Sequence, residues 1–124
     1  MEIDLIQLEF IDSKLRLIAI ETEEAFGCVF VVTSLYRIGD DGVHGQLPLR
    51  GLDWRCRNLA FGNIVAEHIN QYWQYDYSRP DMLCCRCHAV EGGALHLHLQ
   101  VHPKTKRRVD RGNSSAFGLD RRHY

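Results

Sequence analysis

The chain has 124 residues, 45% of them hydrophobic and 25% charged, with a formal net charge of −1. That length suits one domain around one core. The balance is ordinary for a soluble globular protein and excludes a polyanion binder that acts through overall charge. No apolar run approaches the ~20 residues of a membrane span. Met1-Glu2-Ile3-Asp4 is acidic where a secretory signal is basic, so cytoplasmic synthesis without a signal peptide is expected. Five cysteines, three of them within Cys84-Cys85-Arg86-Cys87, point to reduced thiols rather than a disulfide framework.

Residues 1–11 are apolar with interspersed acids and fit a short strand or a helical lead-in. Ser13 is a suitable helix N-cap. Behind it Leu15, Ile18, Thr22 and Ala25 recur at helical spacing, which predicts a helix from about Asp12 to Phe26, stopped by Gly27. Cys28-Val29-Phe30-Val31-Val32-Thr33 is a continuous β-forming run, expected as a strand buried on both faces, with Ser34 to Arg37 leaving it. Gly39-Asp40-Asp41-Gly42 is a turn cluster, and loop continues to Pro48. Arg50 to Arg55 alternates and predicts a second strand. From Asn58 as cap to about Tyr72, the residues Leu59, Gly62, Val65 and Ile69 form one apolar helical stripe. Tyr72, Trp73, Tyr75 and Tyr77 follow as an aromatic loop that covers the core or borders a cleft. Met82 to Val90 reads as a strand, Glu91-Gly92-Gly93 as a hairpin turn, and Leu95 to Val101 as the strand paired back on it.

The order helix, strand, loop, strand, helix, hairpin predicts an α+β fold, a small antiparallel sheet with helices packed on one face. One domain is expected over residues 1–103 and a basic, flexible tail over 104–124. From Pro103 onward there are seven Lys and Arg against two Asp, a composition that suits an anionic partner or a solvated end.

The last strand carries the most chemistry. Leu95, Leu97, Leu99 and Val101 interleave with His96, His98, Gln100 and His102, so one face is apolar and the other is a row of imidazoles and an amide. Two histidines at i and i+2 on one face serve a metal or a reacting group, or are the exposed side of an edge strand. Zinc takes histidine nitrogen and carboxylate oxygen, and a catalytic site keeps one position open for water. His44, Asp53 and His98 make one such set, although spacing alone does not single them out among seven histidines.

A wider pattern does. Val32-Thr33-Ser34-Leu35-Tyr36-Arg37, then His44, Gly51 and Asp53, then a helix, then His96-Leu97-His98 follow one another over residues 12–101. This order resembles the zinc D-Ala-D-Ala carboxypeptidases and phage endolysin peptidases of the hedgehog/DD-peptidase fold. The resemblance implies a monomeric zinc metallopeptidase that hydrolyses peptidoglycan stem peptides at the cell wall or periplasm after release, with no specific nucleic-acid partner. It implies His44, Asp53 and His98 as metal ligands. It implies Arg37 as the residue that holds a substrate carboxylate, a task suited to the guanidinium fork; paired with Asp40 or Asp41 the same arginine is only a surface ion pair. Two departures stand out. His44 and Asp53 are nine positions apart, more than in those peptidases, and residues around Leu47-Pro48 account for the difference. The acidic base expected three residues before the last ligand is replaced by Leu95. Glu91, upstream of the His-x-His strand, is the expected general base, with His96 orienting water or stabilising an oxyanion.

Cys84-Cys85-x-Cys87-His88 is a competing zinc candidate, but no second cysteine pair stands at ribbon spacing and Cys28 and Cys56 are isolated in sequence. These cysteines are expected as buried strand residues. The alternative to an enzyme is a non-catalytic zinc-containing binding module of the same fold.

Overall fold

The computed structural model describes residues 11–36, 48–89 and 94–108. Its elements are α1 (Ser13–Phe26), β1 (Val32–Tyr36), β2 (Gly51–Arg55), α2 (Leu59–Tyr72), β3 (Trp73–Gln74), β4 (Cys85–Ala89), β5 (Leu95–Gln100) and β6 (Lys106–Arg107). The fold is α+β. Four antiparallel strands are ordered β1-β2-β5-β4, and β3 and β6 form a separate two-stranded ribbon. The expected hairpin turn at Glu91-Gly92-Gly93 lies outside the described residues, while the strands it joins are paired from Cys85↔Leu99 to Ala89↔Leu95.

Helix α1 is capped one residue earlier than expected. Asp12, not Ser13, accepts the backbone N–H groups of Lys14 and Leu15 at 2.8 and 3.4 Å. A carboxylate reaches those free donors and carries charge that suits the positive helix end. Gly27 closes the helix at φ 64°, a left-handed conformation that a Cβ disfavours by about 1–2 kcal/mol. Leu15, Ile18, Ala19 and Thr22 form its buried stripe. Thr22 satisfies its hydroxyl by donating to the Ile18 carbonyl at 2.7 Å.

The expected first strand is shifted. Cys28 and Val29 are exposed, and the ladder begins at Val32 and runs on through Ser34, Leu35 and Tyr36. Glu23 explains the delay: its carboxylate accepts the Phe30 N–H at 2.8 Å, holding the chain against α1. Phe30 is thereby buried and stacks on Trp54 at 4.5 Å between ring centroids. The β-branched run marked the strand's neighbourhood, and tertiary contacts chose its register.

Helix α2 begins as expected at Asn58, whose side chain accepts the Phe61 N–H at 3.0 Å. It buries Gly62, Val65, Ala66 and Ile69. Asn70 fastens it to β4, donating to the Cys85 carbonyl at 2.8 Å and accepting its N–H at 3.0 Å. The helix approaches that strand so closely that a Cβ on Gly62 would press on Cys87 Sγ and stand 2.8 Å from Cys56 Sγ. The core is one cluster in which Leu15, Ile18, Leu52, Trp54, Val65, Ile69, Leu97, Leu99 and Val101 are essentially inaccessible. Among the described residues, no helix is long and apolar enough to cross a membrane.

Two expectations for the segments after α2 and β5 change. Trp73 and Gln74, expected as loop, pair with Arg107 and Lys106. The start of the expected flexible tail is therefore packed. Thr105 is buried, accepting the His102 N–H and donating to the Tyr75 carbonyl, both at 2.8 Å. Arg107 lies 4.4 Å over the Trp73 ring and pairs with Glu21, and the Arg108 N–H donates to the Tyr72 carbonyl at 2.8 Å. A buried polar side chain with both bonds made is a structural device, because each bond contributes about 0.5–1.5 kcal/mol net and leaving a partner unmet costs more. The remainder, from Val109, lies outside the described residues. A chain ending at Lys104 should melt roughly 10 °C below one ending at Arg108, the shift that a loss of about 2 kcal/mol gives in a domain of this size. Equal midpoints in a thermal melt would show that β6 contributes nothing.

Candidate functional site

Strand β5 lies inside the sheet, so each of its polar residues has neighbours on two sides. Asp53 of β2 is directly opposite His98, and Arg86 of β4 faces His98 from the other edge. One pair along, Arg55 is opposite His96 and His88 completes the row. Even-numbered residues of β4 and β5 and odd-numbered residues of β2 thus share the face away from Leu52, Trp54, Leu97 and Leu99. The apolar face fixes this arrangement, since slipping β5 by one residue would put imidazoles into the core.

On that face Asp53 Oδ1 stands 3.2 Å from His98 Nδ1. His96 Nε2 stands 3.9 Å from the same oxygen. The Asp53, His96 and His98 side chains are 18, 16 and 28% exposed, low enough to strengthen charge interactions and open enough to admit a ligand. Of the three residues the sequence offered from this row, all are brought together. His44, Arg37 and Glu91 lie outside the described residues. His102 leaves the row: past the end of β5 it accepts the Lys104 N–H at 3.1 Å and its ring packs beside Tyr75.

His98 is gripped at both ring nitrogens. Its Nε2 faces Gln100 Oε1 at 3.2 Å, and the orientation of that amide is set by Gln100 Nε2 donating to the Leu83 carbonyl at 2.9 Å. Both contacts therefore present an oxygen to the ring. A neutral imidazole donates from only one nitrogen, so one contact opposes a lone pair to an oxygen unless a cation, either a proton or a metal ion, intervenes. The separation also suits a shared metal. Two N/O donors at about 2.0–2.1 Å from a tetrahedral zinc stand roughly 3.3 Å apart. Among the described residues alone, no three His, Cys, Asp or Glu side chains converge as a complete cage.

His88 belongs to this face and was not singled out as part of it from the sequence. Its ring lies 4.5 Å from that of His96 and 6.0 Å from that of His98. Partial desolvation, then the neighbouring His96 and His98, lower its pKa from the ordinary value, with Asp53 opposing. The signal was present in the hairpin register: with Glu91-Gly92-Gly93 as the turn, His88 falls opposite His96. Arg86 entered the same face by the same register.

The cysteine-rich stretch turns its sulfurs toward the core. Cys84 and Cys85 are buried, and burial pushes the Cys84 thiol up to about 12 and raises Cys85 further. A thiol so disfavoured as thiolate is a poor metal ligand. A cavity of about 610 Å³ lies between the helices and is lined by Glu21, His68, Tyr72, Trp73 and Arg107, away from the imidazole row. No family model, curated protein or solved structure matches this chain.

Removing the Asp53 carboxylate separates the two chemistries. Asp53→Ala should lower zinc affinity at least 10-fold, read by competition with a chromophoric chelator, while Cys84→Ser leaves it unchanged. The reverse pattern would assign the metal to the thiols.

Proposed function

We propose that the chain is a zinc-dependent peptidoglycan stem-peptide hydrolase of the hedgehog/DD-peptidase fold. The observation that carries this reading is the Asp53–His98 contact, a carboxylate and an imidazole held at the spacing of two ligands on one ion, with His96 beside them. Asp53 and His98 would hold the zinc together with His44, the third ligand that the motif resemblance supplies. A bound zinc supplies a water of pKa near ~7 and polarises a carbonyl oxygen.

The chain's own groups do the rest. Gln100 fixes the His98 ring from the far side, so that Nδ1 stays aimed at Asp53. His96, half-buried at the edge of the pair, presents Nε2 where it orients water or donates to a developing oxyanion. Glu91 accepts a proton on its carboxylate and returns it to the leaving amine. Arg37 holds the substrate's terminal carboxylate through its guanidinium fork.

One observation favours the second reading, a zinc-containing binding module without turnover. The position three residues before His98 is Leu95, which packs against the core beside β4 instead of offering an acid to the site. Purified cell wall decides between the two. Under the first reading the zinc-loaded full chain releases stem peptides, chelation abolishes release, and Glu91→Gln lowers it by about 10²–10⁴-fold with zinc retained. A wild-type chain that binds zinc but releases nothing from any wall chemotype contradicts the hydrolase and leaves the binding module.

A further inference from the structure

Cys56 and Cys87 look unrelated in sequence, 31 positions apart. In the sheet they are also separated, because Cys56 follows β2, Cys87 lies on β4, and β5 runs between those strands. Nevertheless their sulfurs meet 3.8 Å apart on the core side. The chain turns off β2 toward Asn58 and α2, and the Cys56 thiol folds back to donate to the Asn58 carbonyl at 3.2 Å. Gly62 clears the space, since any Cβ there would collide with both sulfurs. An independent feature makes the pair reachable. Cys56 lines a surface cavity of about 560 Å³ with Phe30, Arg55, Asn58 and Phe61, and Cys87 is itself partly exposed.

We propose that Cys56 and Cys87 are a disulfide-forming pair, closed by a small-molecule disulfide such as oxidised glutathione, that bolts β4 to the entry of α2. The sulfurs stand about 1.8 Å beyond bonding distance, and closure draws β4 and the chain after β2 together as far as the disulfide geometry requires. In the first step the thiolate of one cysteine attacks the oxidant's S–S bond, forming a mixed disulfide and releasing one small thiolate, which takes up a proton. In the second the other cysteine's thiolate attacks the protein sulfur of that mixed disulfide and releases the second small thiol. The two cysteines give up two electrons and two protons, and the oxidant's disulfide is reduced to two thiols. Burial, then the hydrogen bond and charge of Cys56, pushes the Cys87 thiol up to about 11, so closure is slow at neutral pH and faster in alkaline buffer.

The closed bridge encloses α2 and the aromatic segment after it. It also fixes β4, whose outer face carries His88, against the end of β2, whose outer face carries Asp53. The remaining thiols are placed differently: Cys28 lines the same cavity but is exposed, and Cys84 and Cys85 are buried. This inference does not rest on the hydrolase reading, and its test needs neither metal nor substrate.

The test incubates the metal-free full chain with oxidised glutathione at about pH 8.5, under native conditions, and maps the product by non-reducing peptide mass spectrometry. The expected product is 2 Da lighter than the reduced chain, the mass of the two hydrogens removed, with a Cys56–Cys87 linked peptide; it forms equally in Cys28→Ser and not in Cys87→Ser. Its melting midpoint should rise by roughly 10 °C and return on reduction. Five free thiols after prolonged incubation, or a bridge that uses Cys28, Cys84 or Cys85, overturns the pairing. A Cys56–Cys87 bridge that leaves the midpoint unchanged or lowers it overturns the bolting role. The wild-type peptide map decides the pairing even where Cys87→Ser does not fold.

Discussion

Strand β5 is hydrogen-bonded along both edges, to β2 and to β4, and its two faces demand opposite environments. Leu97 and Leu99 are each worth about 1.5–3 kcal/mol when removed from water, and a slip of one residue would forfeit both while burying histidines. Antiparallel pairing then converts this register into chemistry. Once Leu97 is fixed in the core, His98 must lie opposite Asp53, and His96 opposite His88. No side chain in the polar row has to find its partner independently.

The two faces separate two sets of soft and borderline ligands. Imidazoles and a carboxylate line the outer face, where water reaches them. The thiols of Cys56, Cys84, Cys85 and Cys87 face helix and core, and desolvation keeps those of Cys84, Cys85 and Cys87 protonated. Under the proposed zinc reading, a metal would meet the N and O donors of the outer face before the thiols. The thiols keep a different capability, since two of them already touch across β5.

What the sequence made legible is what periodicity encodes. The alternation from Leu95, the stripe through Val65 and Ile69, and the Asn58 cap all lie in local spacing, and the α+β order followed from them. The start of β1 did not, because the Glu23 side chain captures the Phe30 backbone from seven residues away, a contact with no local signature. The β3–β6 ribbon was hidden for a similar reason: each partner is two residues long, and the buried Thr105 that locks it reads as an ordinary polar residue in a basic segment. Cys56 and Cys87 met through the close approach of Gly62, which spacing does not reveal. For the site, the sequence singled out Asp53, His96 and His98 and grouped His88 with the cysteines instead, because only the hairpin register brings it into the row.

The central proposal is that a metal would bind at the imidazole–carboxylate face and not at the thiol face. X-ray absorption at the zinc edge of the metal-loaded full chain tests it most directly. The expected spectrum has a first shell of nitrogen and oxygen scatterers at about 2.0–2.1 Å, with histidine multiple scattering and no sulfur. A sulfur shell at about 2.3 Å would put the metal among Cys56, Cys84, Cys85 and Cys87 and contradict the assignment of Asp53 and His98.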